Sequence, residues 1–110
     1  MELNAHEYKR ATILGVVGRV DSATWSELDS ALQAIIDQGQ KHIILDLAGV
    51  EFLSSSGLRV LVTTMKELRK VGGEMVLAAA SDRASDSINI AGLDVLFRSF
   101  PSREEAIASF

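Results

Sequence analysis

Hydrophobic residues along the chain follow two spacings, which predict alternating strands and helices. Five short extended runs are rich in β-branched and other apolar residues: residues 2–8, 12–17, 42–47, 74–78 and 95–100. Runs of this length and composition are typical of β-strands. The third run is apolar on both faces except at Asp46, which indicates a central strand of a sheet.

Two of the intervening segments have apolar residues at the spacing of one helical face. In the first segment this face consists of Trp25, Leu28, Leu32, Ile35 and Ile36. In the second segment it consists of Leu58, Leu61, Val62, Met65 and Leu68. Both segments are therefore predicted to be amphipathic helices that bury one side against the sheet.

Capping residues mark the predicted helix starts. Thr24 and Glu27 have capping-box spacing before the first helix, and Asp21 or Ser22 is an alternative cap for the same helix. A last helix is predicted to follow Ser102, which has a glutamate three residues later.

The resulting order, ββαβαβαβα, predicts an α/β fold with a mixed sheet, parallel later strands and helices stacked on one face. Ser81 or Asp82 is predicted to cap the third helix of this order, which ends at Gly92. Three loops follow strands and are expected to meet at the carboxyl edge of the sheet: residues 18–24, 48–57 and 80–84. Asp21, Ser55 and Asp82 should therefore share one surface.

Composition restricts the class of protein. A chain of 110 residues, 47% hydrophobic and with one proline, is predicted to form a single domain, residues 1–110. The absence of cysteine excludes disulfides and thiolate metal sites. A net charge of −4, with basic residues scattered among acids, argues against binding nucleic acid or an anionic membrane.

Targeting signals are also missing from the sequence. The segment Met1–Asn4 lacks the features of a signal peptide, and no apolar run approaches the roughly 18 to 20 residues of a membrane span. We therefore expect a cytoplasmic protein that is not inserted into a membrane.

The run Ser54-Ser55-Ser56-Gly57 lies between a predicted buried strand and the second amphipathic helix. One of its serines must lie at or near the helix N-terminus, where unpaired N–H groups and roughly half a positive charge favour a phosphate. The run therefore suits a phosphorylation switch. Serine is also a preferred N-cap, and capping with turn formation is the commoner explanation of such a run.

Catalysis has little support in the sequence. The only histidines, His6 and His42, lie on predicted strands away from the carboxyl edge. The chain lacks a Gly-x-Ser-x-Gly motif, a phosphate-binding loop of the Gly-x-x-x-x-Gly-Lys type and a cluster with metal-ligand spacing. We therefore predict that the protein is not an enzyme and uses neither a cofactor nor a metal.

Several segments in the same order resemble the STAS domain family, particularly the single-domain anti-sigma factor antagonists of bacterial partner-switching systems. They are Gly18–Asp21, Ile43–Leu47, Phe52–Leu58, Gly72-Gly73, Ala91–Phe97 and Ser102–Ala106. The resemblance covers essentially the whole chain. It implies a STAS-like mixed sheet of about four or five strands, with about four helices packed mainly on one face.

The resemblance also implies a phosphorylation site. The family hallmark reads Asp-Ser-(Ser/Thr/Ala)-Gly-Leu, and a partner kinase that doubles as the anti-sigma factor phosphorylates its first serine. This position is Ser55 here, with Ser56 as the neighbouring fallback, while Ser54 replaces the family aspartate. Asp21 matches a family aspartate in a loop that faces the partner; a helix cap is its alternative role.

The partner-binding residues predicted from these matches and from helical spacing are Asp21, Ser54, Ser55, Ser56, Gly57 and Arg59. Arg59 lies about one turn beyond Ser55, where it either reaches an added phosphate or is a solvated surface arginine. Asp46 is either an acid of the site or, more commonly at a strand end, an acceptor for loop N–H groups.

The implied function is that of an anti-sigma factor antagonist. The unphosphorylated protein would bind an anti-sigma serine kinase, which is a histidine-kinase-like ATPase, and phosphorylation would release it. A PP2C-type phosphatase would reverse the modification. The alternative is a STAS interaction or ligand-binding module that does not switch, such as an accessory subunit of a membrane transport complex or a sensory scaffold.

Overall fold

The structure is a computed structural model that describes residues 1–110. Its elements are β1 (Glu2–Glu7), β2 (Thr12–Val20), α1 (Trp25–Asp37), β3 (His42–Leu53), α2 (Ser55–Lys70), β4 (Glu74–Ala78), α3 (Asp82–Ile90), β5 (Ser99–Phe100) and α4 (Arg103–Ala108). A short 3-10 turn at Asp94–Leu96 precedes β5. The predicted order of strands and helices is therefore confirmed.

The five strands form one mixed sheet in the order β1-β2-β3-β4-β5. Strand β1 is antiparallel to β2, and each later pair is parallel. Strands β2 and β3 extend beyond the predicted residues 12–17 and 42–47. Their pairing continues to Val20 and Leu53 through two register shifts, which interrupt the regular side-chain alternation that marks a strand in sequence.

Helices α1, α2 and α3 cover one face of the sheet over a core of 20 buried residues. Helix α2 contributes Val60, Leu61, Met65 and Leu68 to this core, whereas Leu58 and Val62 are only partly buried. Trp25 was expected on the buried face of α1, and this prediction is wrong, since 40% of its surface is exposed. It is the first residue of the helix and lies at the helix end.

Helix α4 packs on the opposite face of the sheet, so the expectation that the helices pack mainly on one face is confirmed, with α4 as the exception. Its residue Ala106 joins a smaller core of six buried residues: Ala11, Ile13, Ile44, Val76, Ala78 and Ala106. The handedness rule governs a helix that connects two parallel strands. Because α4 follows the last strand, that rule does not apply to it, and it covers apolar surface left open by the other helices.

An ion pair joins α4 to the centre of the sheet. The Nε of Arg103 donates to Oδ2 of Asp46, which is 8% exposed. The other oxygen, Oδ1, accepts from the N–H of Ala48 at 2.9 Å. Ala48 was predicted to lie in a loop but belongs to β3, beside a register shift, so Asp46 accepts this hydrogen bond from its own strand. Its second oxygen anchors α4.

No helix of the structure combines the length and the apolar character needed to cross a membrane.

Candidate functional site

Main-chain and serine hydrogen bonds join the loops at the carboxyl edge of the sheet. The N–H of Ser54 donates to the carbonyl oxygen of Val20 at 2.9 Å, which links the ends of β2 and β3. The N–H of Ser81 donates to the carbonyl of Leu47 at 3.2 Å, and its hydroxyl donates to the carbonyl of Val50 at 2.7 Å. The starts of α2 and α3 are thereby held against the same edge.

The serine run divides into a capping residue and a free residue. Ser54 is the N-cap of α2, and its Oγ accepts from the N–H of Gly57 at 3.3 Å. Ser55 is the first helical residue and is exposed, while Ser56 is half-buried. Capping chemistry therefore uses Ser54 and leaves the Ser55 hydroxyl accessible at the helix N-terminus.

Gly57 brings the start of α2 against the strand ends. A Cβ atom built at this buried position would lie 2.7 Å from Cδ1 of Leu53 and 2.7 Å from Cγ1 of Val20. Such contacts are too short, so a larger residue would force the Leu53 and Val20 side chains to shift or the helix start to move outward. The absence of a side chain at Gly57 thus permits the close approach of the α2 start to the ends of β2 and β3.

Asp21 organises the neighbouring loop between β2 and α1. Its Oδ1 accepts from the N–H of Ala23 at 3.0 Å and from the Thr24 hydroxyl at 3.2 Å, and Arg19 Nε lies 3.7 Å from Oδ2. The Ala23 hydrogen bond, aided by Thr24 and the Arg19 charge, lowers the pKa of Asp21 below its ordinary value. Asp21 is thus a stable carboxylate in the loop beside the serine run.

The predicted capping box of α1 does not form. Thr24 is the N-cap residue but makes no side-chain capping bond to the helix. Its hydroxyl shares one hydrogen between the carbonyl oxygen of Arg19 at 2.8 Å and Oδ1 of Asp21 at 3.2 Å, and its oxygen accepts from the N–H of Asp21 at 3.0 Å. The Thr24 hydroxyl therefore bonds to residues of the loop and not to the first N–H groups of α1. Asp21 accepts from Ala23 N–H, which stabilises the turn before the helix.

Backbone bonding places the predicted acidic and hydroxyl residues on one edge. A main-chain hydrogen bond joins Val20 to Ser54, and Asp21 and Ser55 are the next residues after these two. Asp82, exposed at the start of α3, follows Ser81, which is bonded to β3. The structure therefore brings together the three loops that carry these residues.

Arg59 lies on the exposed side of α2 and lines a groove between α1 and α2. The groove has a volume of about 310 Å³ and is also lined by Trp25, Asp29, Ser56, Val60 and Thr63. The ion pairs of the structure do not include Arg59. Sequence reasoning missed Trp25 as a surface residue here, because helical spacing placed it with the core.

A second missed feature is a cation–π contact between β2 and β3. The guanidinium carbon of Arg19 lies 4.5 Å from the ring centre of Phe52, and 37% of the Phe52 surface is exposed. The neighbouring Leu53 is buried. Phe52 thus extends the exposed surface at the strand ends. In the sequence, the one indication of this exposure was that Phe52 precedes Leu53, since neighbouring residues of a strand point to opposite faces.

The structure contains no group of three or more histidine, aspartate or glutamate side chains positioned to hold a metal ion. His6 lies on β1 and His42 begins β3, so neither is among the residues that form the carboxyl edge. The edge presents hydroxyls, carboxylates, an arginine and aromatic rings, of which the arginine and the rings are residue types enriched at protein interfaces.

Comparison with known proteins gives consistent matches. Residues 2–106 match the STAS domain family. BtrV of Bordetella bronchiseptica, which bears the name of an anti-sigma factor antagonist, is 34% identical over 110 residues, covering 100% of this chain and 95% of BtrV. A crystal structure of an anti-sigma factor antagonist from Mycobacterium paratuberculosis aligns with a TM-score of 0.90 at 26% identity, covering 98% of this chain and 92% of that one.

The fold also matches SpoIIAA of Bacillus, whose structure is known in two forms. The unphosphorylated form aligns with a TM-score of 0.84 at 22% identity, covering 98% of this chain and 95% of SpoIIAA. The phosphorylated form aligns with a TM-score of 0.76 at 23% identity, covering 98% of both chains. With a family match over nearly all its residues and a relative 34% identical over its full length, the chain belongs to the STAS domain family.

Proposed function

We propose that this protein is an anti-sigma factor antagonist whose binding to an anti-sigma factor is controlled by phosphorylation of Ser55. The general role is supported by relatives that bear this name, including BtrV. The observation that carries the switch is the division of labour in the serine run. Because Ser54 caps α2, Ser55 is an exposed hydroxyl at the helix N-terminus.

The proposed partner-binding surface, called the switch surface below, consists of Asp21, Ser54, Ser55, Ser56, Gly57 and Arg59. In the unphosphorylated state it binds the anti-sigma factor, which is a serine kinase of the histidine-kinase-like ATPase class, and thereby frees the sigma factor. A PP2C-type phosphatase regenerates this state. The role is one of binding, and this protein catalyses no reaction in the cycle.

Phosphorylation ends the interaction through charge. A phosphate adds about 1.5 to 2 negative charges at Ser55, in an interface that must be desolvated on binding. The ionised carboxylate of Asp21, held by Ala23 and Thr24, already lies in the neighbouring loop. A penalty of about 2 to 3 kcal/mol corresponds to about 30- to 200-fold in affinity, which suffices for a switch.

The same phosphate is compatible with the folded domain. Position one of a helix presents unpaired N–H groups and the positive end of the helix dipole to an anion. Arg59, one helical turn further along, is exposed and outside every ion pair of the structure. The modification therefore changes binding without unfolding α2. SpoIIAA, which has the same fold, is known in a phosphorylated form.

The test is phosphorylation of the purified protein by the serine kinase encoded nearest to its gene. With ATP present, we expect an adduct of about 80 Da, the mass of one phosphoryl group, on the peptide that contains Ser55. Ser55→Ala should abolish the adduct. Ser56→Ala is the matched control, because it removes the adjacent hydroxyl and should leave the adduct in place.

Binding measurements complete this test. Unmodified protein and Ser55→Ala should bind the kinase equally, while phosphorylated protein and Ser55→Asp should bind at least 30-fold more weakly. An adduct that persists in Ser55→Ala would move the site to another residue. Tight binding of the phosphorylated protein would instead contradict the switch and support a STAS module that binds its partner constitutively.

A further inference from the structure

We propose that the opposite, amino edge of the sheet holds a second site, which binds small ligands that carry a phosphate group on a planar ring. A cavity of about 460 Å³ opens there between the β1–β2 turn, the α1–β3 turn and the last residue. It is larger than the groove of about 310 Å³ beside Ser55. The proposed function does not depend on it, since the two sites lie at different edges.

The walls of this amino-edge cavity are fixed by hydrogen bonds. The N–H of Tyr8 donates to the carbonyl of Ala11 at 2.9 Å, which closes the β1–β2 turn. The side-chain amide of Gln40 donates to the carboxylate of Glu7 at 2.8 Å and ties that turn to the α1–β3 turn. The cavity is therefore formed before any ligand arrives, which lowers the entropic cost of binding.

The first residue of β4 holds the cavity wall that contains Lys41. The carbonyl of Lys41 accepts from the N–H of Glu74 at 2.9 Å. A Cβ atom built at Gly73 would fall 2.2 Å from the same carbonyl oxygen, so only glycine permits this close approach of the two chain segments. The backbone that carries Lys41 is thereby held in place.

The side chains that line the cavity are cationic. Lys9, Arg10 and Lys41 all line it, and no aspartate or glutamate side chain does, although the chain as a whole has a net charge of −4. The main-chain oxygen of Phe110 is an acceptor at the same cavity and is bonded to Arg10, so the two lysines supply the unpaired charge. Neither lysine belongs to an ion pair of the structure. Cations gathered in a concave site reinforce one another's potential and attract an anion, and phosphate accepts several charge-assisted hydrogen bonds at once.

Arginine adds direction to this charge. One guanidinium N–H of Arg10 donates to the main-chain oxygen of Phe110 at 3.1 Å, which holds the side chain at the cavity. The remaining N–H groups of the planar guanidinium are suited to a phosphate oxygen pair. The nearby Glu7 carboxylate accepts from Gln40 and does not line the cavity.

A pair of stacked rings provides the second recognition element. The rings of His42 and Phe110 have centroids 4.8 Å apart with an interplanar angle of 27°, and both residues line the cavity. Both are only partly buried. The guanidinium carbon of Arg98 also lies 5.7 Å from the Phe110 ring centre, so a planar ligand group stacks on His42, whose ring Phe110 supports from the other side. Cations and rings on one cavity therefore select a phosphate joined to a planar ring over phosphate alone.

NMR titration of ¹⁵N-labelled protein with phenyl phosphate, and separately with inorganic phosphate, tests this proposal. We expect saturable shifts concentrated at the amides of residues 9–11 and 39–43, and at least fivefold tighter binding of phenyl phosphate. Lys9→Gln/Lys41→Gln should weaken phenyl phosphate binding at least tenfold. The matched control, Lys66→Gln/Lys70→Gln, removes two exposed lysines of α2 and should change affinity less than twofold.

Other results would overturn the proposal. Equal weakening by both double variants would show that general charge attraction explains the binding, and shifts without a cluster at these turns would show that the cavity is not a site. Phe110→Leu keeps an apolar residue and removes the ring that supports His42. It should reduce the preference for phenyl phosphate over inorganic phosphate below twofold, and an unchanged preference would contradict the role of the rings.

Discussion

Helices α2 and α4 begin in the same way but are held to the sheet by different forces. Each has a serine cap: Ser54 accepts from Gly57 N–H at 3.3 Å, and Ser102 accepts from Glu105 N–H at 3.2 Å. Helix α2 then packs through many apolar residues, whereas α4 buries Ala106 and depends on its ion pair with the sheet. A local start signal thus identifies a helix and does not reveal what anchors it.

The largest expected effect concerns the apolar anchor of α2. Leu61 is fully buried in the 20-residue core, and Leu61→Ala should lower the free energy of unfolding by about 2 to 5 kcal/mol. Urea unfolding followed by circular dichroism measures this change. Val62→Ala is the control, since Val62 is only partly buried and should cost clearly less. Equal costs would contradict the packing described for α2.

The polar anchor of α4 should contribute less. Arg103→Gln leaves the Asp46 carboxylate without its partner and should cost about 1 to 3 kcal/mol. The cost stays below that of a fully buried pair because the Arg103 side chain is 36% exposed. The combination with Asp46→Asn should cost less than the sum of the single changes. Strict additivity in the same urea experiment would show that the pair is not coupled.

The two serine caps allow a direct comparison. Removal of either hydroxyl should cost about 0.5 to 2 kcal/mol. Ser54→Ala should lie at the upper end of this range and Ser102→Ala at the lower, because Gly57 is buried and Glu105 is exposed to water. Ser55→Ala, next to the cap, should change stability by less than about 0.5 kcal/mol. A larger loss for Ser55→Ala would mean that Ser55, and not Ser54, caps α2.

Helix α1 begins without a side-chain cap and follows the turn held by Asp21, whose titration should give the smallest effect on stability. The folded pKa of Asp21 is lowered by its bonds to Ala23 and Thr24, so its contribution to stability is present above the ordinary value of 3.8 and is lost as pH falls through the lower folded value. A ¹³C-detected pH titration should place the Asp21 midpoint below 3.8. Thr24→Val should move it upward. A midpoint unaffected by this change would remove Thr24 as a cause.

The face of α2 was readable from sequence because its apolar residues recur at helical spacing over about three turns, from Leu58 to Leu68. The same spacing misassigned Trp25, since periodicity does not show that a residue stands at the end of its helix. It also could not place α4, because the pattern within a helix does not say which side of a sheet the helix covers. Asp46 and Arg103 are 57 residues apart, so no local pattern announces their pairing.

The candidate site shows the same limit. The serine run and its glycine were predicted because strand, cap and helix follow one another directly in the chain. The competition for the Thr24 hydroxyl and the contact of Arg19 with Phe52 depend on how loops and neighbouring strands fold over one another. Pairings across strands become apparent only after the register is known, and two register shifts make that register hard to derive.

The strand order also affects how the protein folds during its synthesis. Spatial neighbours in the sheet are consecutive in the chain, so each new strand can add to an edge that already exists as the polypeptide leaves the ribosome. Closing short loops in succession is faster than pairing distant segments. The ion pair of Arg103 with Asp46 spans 57 residues and can form only after residue 103 has left the ribosome. We expect assembly to proceed from the first hairpin toward the C-terminus, with α4 docking as its final step.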